Sequence, residues 1–370
     1  MNVPQVEPTI RLRPATLAAM TQTNVTPSGA AEYAHERETA ELLARQAGAV
    51  LLHYRRTGFD VDHKTSADDP VTVADREASE LIVAGLRAAF PDDGLLSEEM
   101  LDSPDRLGRS RVWIIDPIDG TKEYVDGTPD YCVSIGLAVN GEAVLGVVLA
   151  PEKDELFTGI VGQGVWKNGQ PAGFSDREPH SSVLAVSDTE YSRELHTYAL
   201  PTMKPSGSIA LKMARIAAGE ADATFTMSPR SEWDIAAGMA LIAAAGGVTT
   251  RRNGQPIVLN QERPSIERGV LAGRPDVLAW LVPELLRLNM PEQIHGVQPS
   301  DDVWTLAPQE AQAGAHAGAN LHLRQAGGKL VAWALVQPGD VPLMERLEGD
   351  EAHRSVLHKD LIRIYGQLKE

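Results

Sequence analysis

The sequence predicts an α/β protein with a small α+β appendage at its C-terminal end. Three observations carry this reading. Stretches of helical period, such as Ala40, Leu43, Ala47, Val50 and Leu51, alternate with apolar runs of strand length. One such run, Val112 to Ile115, passes directly into the acidic turn Asp116-Pro117-Ile118-Asp119-Gly120-Thr121. The composition then changes after Pro291 to Ser300, which reads as a linker. The expected organisation is a loose tail over 1–30, a body over 31–290 in two halves (roughly 31–180 and 181–290), and an appendage over 291–370.

Each element has its own signal. Glu32 to Arg56 is expected to be helical and to end at Gly58. Asp69-Pro70 marks a turn, Val71 to Val73 a short extended piece, and a helix follows to about Phe90. Asp75 lies at its start, either as a cap or as a functional carboxylate. A turn at Pro91 to Gly94 leads into Leu95-Leu96 and then Ser97-Glu98-Glu99, two acids behind a short strand. Tyr131 to Val139 and Ala143 to Ala150 read as strands joined by Asn140-Gly141, a hairpin signal. Leu156 to Val161 and Val165-Trp166 extend the sheet. Further on, the pattern gives a strand at Ser182 to Ser187, helices at Ser192 to Leu200 and Ile209 to Ala218, and a strand at Ala223 to Met227. Ser231-Glu232-Trp233-Asp234 opens a helix whose Ala237, Ala240, Ala243 and Ala244 permit close packing. Asp234 at the helix start is either a cap or, with Trp233 anchoring the helix, a carboxylate aimed inward. Short strands at Val248 to Thr250, Ile257-Val258 and Val270 to Ala272, and a helix from Pro275 to Leu288, complete the body. In the appendage, Asp302 to Ala307 and Asn320 to Gln337 read as strands, with Gly327-Gly328 as a turn. Met344 to Lys369 reads as a charged amphipathic helix. The appendage is expected to cover substrate or to mediate oligomerisation.

Composition narrows the function. With 370 residues, 43% hydrophobic and 23% charged, the chain has ordinary globular make-up and length for a sizeable core. A net charge of −17 argues against nucleic-acid polymers or anionic membranes as main partners. It leaves room for a small anionic substrate, because bound metal ions invert the local field. The single cysteine, Cys132, excludes an intrachain disulfide and fits a reducing compartment, so a cytoplasmic protein is expected. Its place in an apolar strand favours buried packing over a nucleophilic role. No apolar run approaches a membrane span, and Leu17 to Met20 is too short for a secretory signal core.

The acidic turn carries the chemistry. Pro117 fixes the backbone behind Asp116, and Gly120 permits close approach of a ligand. Asp116 and Asp119 then converge and repel each other unless a cation lies between them. Oxygen ligands suit a hard ion such as Mg²⁺. A helix starting at Gly120-Thr121 would aim N–H groups at the same point and hold a phosphate. A metal and a phosphate side by side point to phosphoryl chemistry, for which no nucleophilic Ser, Cys or His is needed.

Four separated segments, DPVTVAD (Asp69 to Asp75), SEE (Ser97 to Glu99), WIIDPIDGTKEY (Trp113 to Tyr124) and WDIAAG (Trp233 to Gly238), occur in order. Together they resemble the inositol monophosphatase superfamily of metal-dependent, lithium-sensitive phosphatases, from about Glu32 to Leu288. Lys122-Glu123, Gly207-Ser208 with Lys212, and the SEWD run are similar to its 3'(2'),5'-bisphosphate nucleotidase branch. The resemblance implies a layered α/β sandwich with the site between its two halves. It implies about two or three Mg²⁺ ions on Glu98, Asp116, Asp119, Asp234 and the Ile118 carbonyl. Asp75 and Thr121 would position and deprotonate the attacking water, and the N–H groups of Gly120 and Thr121 would take phosphate oxygens. Gly207, Ser208 and Lys212 would touch the nucleotide side. Such sandwiches often pair, so a homodimer is expected. Tyr124 stands where the branch usually has Phe, and Val125 to Asp130 lacks the branch's usual motif. The substrate therefore stays open between a nucleotide bisphosphate, read as adenosine 3',5'-bisphosphate hydrolysed to AMP, and an inositol or sugar phosphate. A non-catalytic binding protein on the same scaffold is the remaining alternative.

Overall fold

A computed structural model describes residues 32–63, 70–193, 195–198, 200–252, 256–267 and 269–287, and, further on, 303–306, 320–326, 329–337, 343–349 and 351–365. The expected tail, the linker at 291–300 and the Gly327-Gly328 turn lie outside the described residues. Described residues of Asn24–Val277 form one compact unit, and those of Leu278–Glu370 a second.

The first unit is built in layers. Helix α1, Ala34–Thr57, buries Ala40, Leu43, Ala47 and Leu51 of the predicted stripe, together with Ala44, while Val50 is only partly buried. A small hairpin of β1, Val61–His63, and β2, Pro70–Thr72, leads into α2, Val73–Ala89. Val73 thus belongs to the helix, because Thr72 caps it and ends the extended backbone. A sheet of seven strands follows in the spatial order β3 (Gly94–Ser97), β4 (Arg111–Asp119), β5 (Cys132–Val139), β6 (Glu142–Ala150), β7 (Glu155–Ile160), β8 (Gly164–Lys167) and β9 (Gln170–Ala172). Only the β3–β4 pair is parallel. Alternation along β4 shows the layering directly. Trp113 and Ile115 join the core shared with α1 and α2, whereas Val112 and Ile114 join the core on the other face.

That other face is covered by two later helices and a second sheet. The short helix at the acidic turn, α3, is Thr121–Val125; after β10, Leu184–Ser187, comes α4, Asp188–Arg193. The expected helix from Ser192 to Leu200 is thus displaced. Ser187 Oγ accepts the Glu190 N–H, which starts the helix early, and only a 3₁₀ turn, Leu195–Thr197, follows. Then come β11, Met203–Ser206, α5, Ile209–Ala217, β12, Ala223–Phe225, β13, Arg230–Ser231, and α6, Glu232–Ala244. Strands β14, Val248–Arg251, β15, Ser265–Ile266, and β16, Val270–Gly273, end the series before α7, Pro275–Arg287. The second sheet has the order β11-β10-β12-β16-β14. Ile257-Val258 is not a strand; the segment instead meets the β5–β6 turn through Leu259 N–H to the Gly141 carbonyl.

Helix α6 lies on β5 and β6 and against α5. Its small residues let it come very close. A Cβ on Gly146 of β6 would stand 2.1 Å from the Ala237 carbonyl oxygen, so no side chain fits between sheet and helix.

The second unit is a four-stranded antiparallel sheet of β17 (Val303–Leu306), β18 (Asn320–Ala326), β19 (Lys329–Gln337) and β20 (Leu343–Gly349), followed by α8, Glu351–Tyr365. Helix α8 packs on β19 and β20. Leu357 and Leu361, one turn apart, are buried, as are Ala334 and Val336 on one face of β19. The expected helix from Met344 is corrected here, since Leu343–Gly349 pairs with β19 (Trp333↔Glu348). Glu345, Arg346 and Glu348 look like a solvated helix face in sequence, but charges are equally at home on an edge strand.

Candidate active site

Strand β4 does not end at Ile115; it runs through the acidic motif to Asp119. The register against β5 shifts there: Asp116 faces Ser134 and Asp119 faces Cys132, three steps on one strand against two on the other. Pro117, with no N–H to offer a ladder, sits in this bulge. In a regular strand, residues three apart point to opposite faces. The bulge lets Asp116 and Asp119 line the same cleft. Gly120 then turns in the left-handed region (φ 98°) and caps the short helix α3.

The cleft has a volume of about 260 Å³. Glu98, Asp116, Ile118, Asp119, Gly120, Thr121, Gly207 and Asp234, all proposed from sequence, line it. Glu98 arrives because its N–H continues the parallel ladder to the Ile115 carbonyl, 3.2 Å away, and its side chain bonds to Asp116. Asp234 arrives on the first turn of α6, beside β5, where Ser134 Oγ donates to the Trp233 carbonyl at 3.4 Å.

Several of these carboxylates have one oxygen fixed by the protein. Asp116 Oδ1 accepts the Ile118 N–H (2.9 Å). Asp119 Oδ2 accepts Ser208 Oγ–H and the Ala210 N–H (both 2.6 Å). Asp234 Oδ2 accepts the Ser231 N–H (2.8 Å). Among the described residues, none of these three forms an ion pair. Burial pushes the Asp116 carboxyl well above its usual range, and Glu98, Asp119 and Asp234 push it further. Burial, then Asp119 and Glu98, raise Asp234 to about 7. Burial also raises Asp119, against the bonds from Ser208 and Ala210.

Asp75 shows that its two readings from sequence are compatible. Its Oδ2 accepts the Thr72 N–H (2.7 Å) and Oγ–H (2.6 Å), closing the cap of α2. Its Oδ1 lies 3.3 Å from Thr121 Oγ1, which is also 3.0 Å from the Ile118 carbonyl. Burial raises the Asp75 carboxyl to about 6.

Ser208 and Lys212 do not line the cleft. Ser208 Oγ is occupied by Asp119 and the Leu211 N–H. Lys212 is buried, and Nζ donates to the carbonyls of Ser206 (2.9 Å) and Gly207 (2.8 Å). It lines a separate cleft of about 460 Å³ beside Arg215 and Lys204. Burial lowers its ammonium to about 8. Cys132 is buried, as expected, with Sγ 3.2 Å from Ser208 Oγ. Lys122 and Glu123 line the acidic cleft, and so do Ser187, Thr189 and Arg230, which the sequence reading missed. For Arg230 the signal was its place four residues before Asp234; for Ser187 and Thr189 there was none.

Mg²⁺ fits this donor set by its chemistry. The side chains are all hard oxygen donors, and their mutual repulsion is what a cation relieves. As they stand, no three Asp, Glu, His or Cys side chains among the described residues close around one point. The acids line a cleft rather than form a finished cage.

Residues 32–286 match the inositol monophosphatase family. The chain belongs to that family. It is 32% identical to inositol monophosphatase 1 of Rattus norvegicus over 239 residues, 60% of this chain and 86% of that protein. It is 35% identical to a histidinol-phosphatase of Chlorobaculum parvum over 236 residues, 60% of this chain and 87% of that one. Among solved structures, an inositol monophosphatase from Anabaena superposes with a TM-score of 0.57 at 30% identity, covering 69% of this chain and 96% of the other. The inositol monophosphatase family consists of metal-dependent phosphoric monoester hydrolases, and its layered α/β sandwich is the fold seen here. No described helix is long and apolar enough to cross a membrane.

Proposed function

We propose that this family member is a Mg²⁺-dependent 3'(2'),5'-bisphosphate nucleotidase that converts adenosine 3',5'-bisphosphate to AMP and phosphate. One observation carries the choice of substrate. Lys122 and Glu123, the pair by which the sequence resembles the nucleotidase branch, stand on the cleft wall beside Gly120 and Thr121.

In this reading Glu98, Asp116, Asp119, Asp234 and the Ile118 carbonyl hold the metal. Bound Mg²⁺ would neutralise phosphoryl charge and make a water more acidic. Thr121 Oγ1 orients the attacking water, and Asp75 Oδ1 takes its proton through that hydroxyl. A carboxyl raised to about 6 is better matched to this task near neutral pH than an ordinary aspartate. The N–H groups of Gly120 and Thr121 take phosphate oxygens. Ser208 holds Asp119 in place, and Lys212 stiffens the loop at Ser206-Gly207 from behind. Cytoplasmic residence, sensitivity to Li⁺ and a homodimer belong to the same reading; molar mass in solution tests the last.

Phosphate release from adenosine 3',5'-bisphosphate and from inositol 1-phosphate, with and without Mg²⁺, tests the assignment. Preference for the inositol ester would support the second reading, an inositol or sugar-phosphate phosphatase. The name of the rat relative favours that alternative, whereas the Chlorobaculum relative is named for a different phosphomonoester.

A further inference from the structure

The acidic cleft contains a cation that is paired with no acid among the described residues. Arg230 lines it together with Glu98, Asp116, Asp119 and Asp234. Its charge is felt at Asp119 and Asp234. Yet among the described residues its guanidinium makes no ion pair and no hydrogen bond, and its Nε is fully buried without a partner. A buried donor left without an acceptor costs about 1–3 kcal/mol. Such an arrangement is expected where a ligand completes it.

The position is held firmly. Arg230 lies on β13, paired to Ile266 of β15. Just before it, Glu190 Oε1 accepts the N–H groups of Met227 (3.0 Å) and Ser228 (3.1 Å) and the Ser228 hydroxyl (3.0 Å). Glu190 belongs to α4, next to Ser187 and Thr189, which also line the cleft. The guanidinium therefore sits on a pinned strand, near hydroxyl groups that can share an anion with it.

We propose that Arg230 is a specificity-determining residue that binds a second phosphate of the substrate, carried on the leaving-group side. A guanidinium meant only to quiet the acids would pair with one of them, and among the described residues Arg230 does not. The inference rests on the cleft being the phosphatase site, but not on the leaving group being a nucleotide.

The test compares wild type, Arg230→Gln and Arg230→Lys on four substrates: adenosine 3',5'-bisphosphate, adenosine 3'-monophosphate, fructose 1,6-bisphosphate and p-nitrophenyl phosphate. Wild type should prefer a bisphosphate. Arg230→Gln should lower kcat/KM on it by at least about tenfold, mainly through KM. Turnover of the two monophosphates should stay within about twofold, and Lys should restore part of the loss. An unchanged thermal unfolding midpoint would show that the fold is intact. Equal losses on all four substrates, no loss on any, or no wild-type preference for a bisphosphate would each overturn the proposal. A differential kept on the sugar bisphosphate alone would support Arg230 while defeating the nucleotide assignment.

Discussion

Two buried groups of acids in this molecule have opposite surroundings. Asp222 is 0% exposed, and both its oxygens are taken. Arg274 Nη1 donates to Oδ1 at 3.3 Å, and Arg177 Nη1 donates to Oδ2 at 3.1 Å. The Val183 N–H (2.7 Å) and the Ser175 hydroxyl complete the shell. Asp116 is 2% exposed, nearly as deep, but its neighbours are Glu98, Asp119 and Asp234. Burial alone therefore does not distinguish structure from function. A carboxylate caged by guanidinium groups ties the fold together. One that faces other carboxylates keeps an unmet demand for positive charge, which a metal and its substrate complex can meet.

Substitutions at the two places should diverge. Asp116→Asn should lower phosphate release by at least about a thousandfold, while the unfolding midpoint of the metal-free protein stays level or rises, because a repelled buried charge is gone. A fall in that midpoint would break the contrast. Asp222→Ala should do the reverse. It leaves Arg177 and Arg274 without their buried counter-charge and should cost about 3–5 kcal/mol in denaturant unfolding, with kcat of the folded fraction little changed. The smallest effect concerns Asp75. Its carboxyl is raised in the folded state, so its contribution to stability is full below the ordinary range near 4 and is lost as pH rises through about 6. Metal-free Asp75→Asn should therefore gain about 1–2 kcal/mol over wild type at pH 7, and the gain should vanish by pH 4. A pH-independent difference would mean that lost capping bonds to Thr72 dominate instead.

What could be read from sequence follows the same division. Asp116, Asp119, Glu98 and Asp234 were legible because each stands beside a strong local signal: an apolar strand, a Pro or Gly turn, or a helix start. Their convergence in one cleft needed the resemblance as well as the spacing. The bulge after Asp116 was not legible, because it is set by pairing with β5 rather than by residues in β4. Ser208 and Lys212 were found in position but not in direction, since only tertiary packing turns them toward Asp119 and the Ser206-Gly207 carbonyls. Arg230 has a local signal in its place four residues before Asp234, but its distinguishing property, a guanidinium without a partner among the described residues, is tertiary and no local pattern encodes it. In the second unit, Met344 to Gly349 reads as helix in sequence because its charges suit either an exposed helix face or a sheet edge, and the neighbouring strand decides between them.

The contact between Gly146 and Ala237 reaches further than its chemistry would imply. Neither residue bears a functional group, yet a single hydrogen atom at position 146 sets the standoff between the central sheet and the helix that delivers Asp234. A methyl group there would act as a wedge, lifting that helix and shifting Asp234 within the acidic cleft from a distance. In a random-mutagenesis screen, an inactive variant at Gly146 would look like a lesion in the chemistry while every reacting group remained intact.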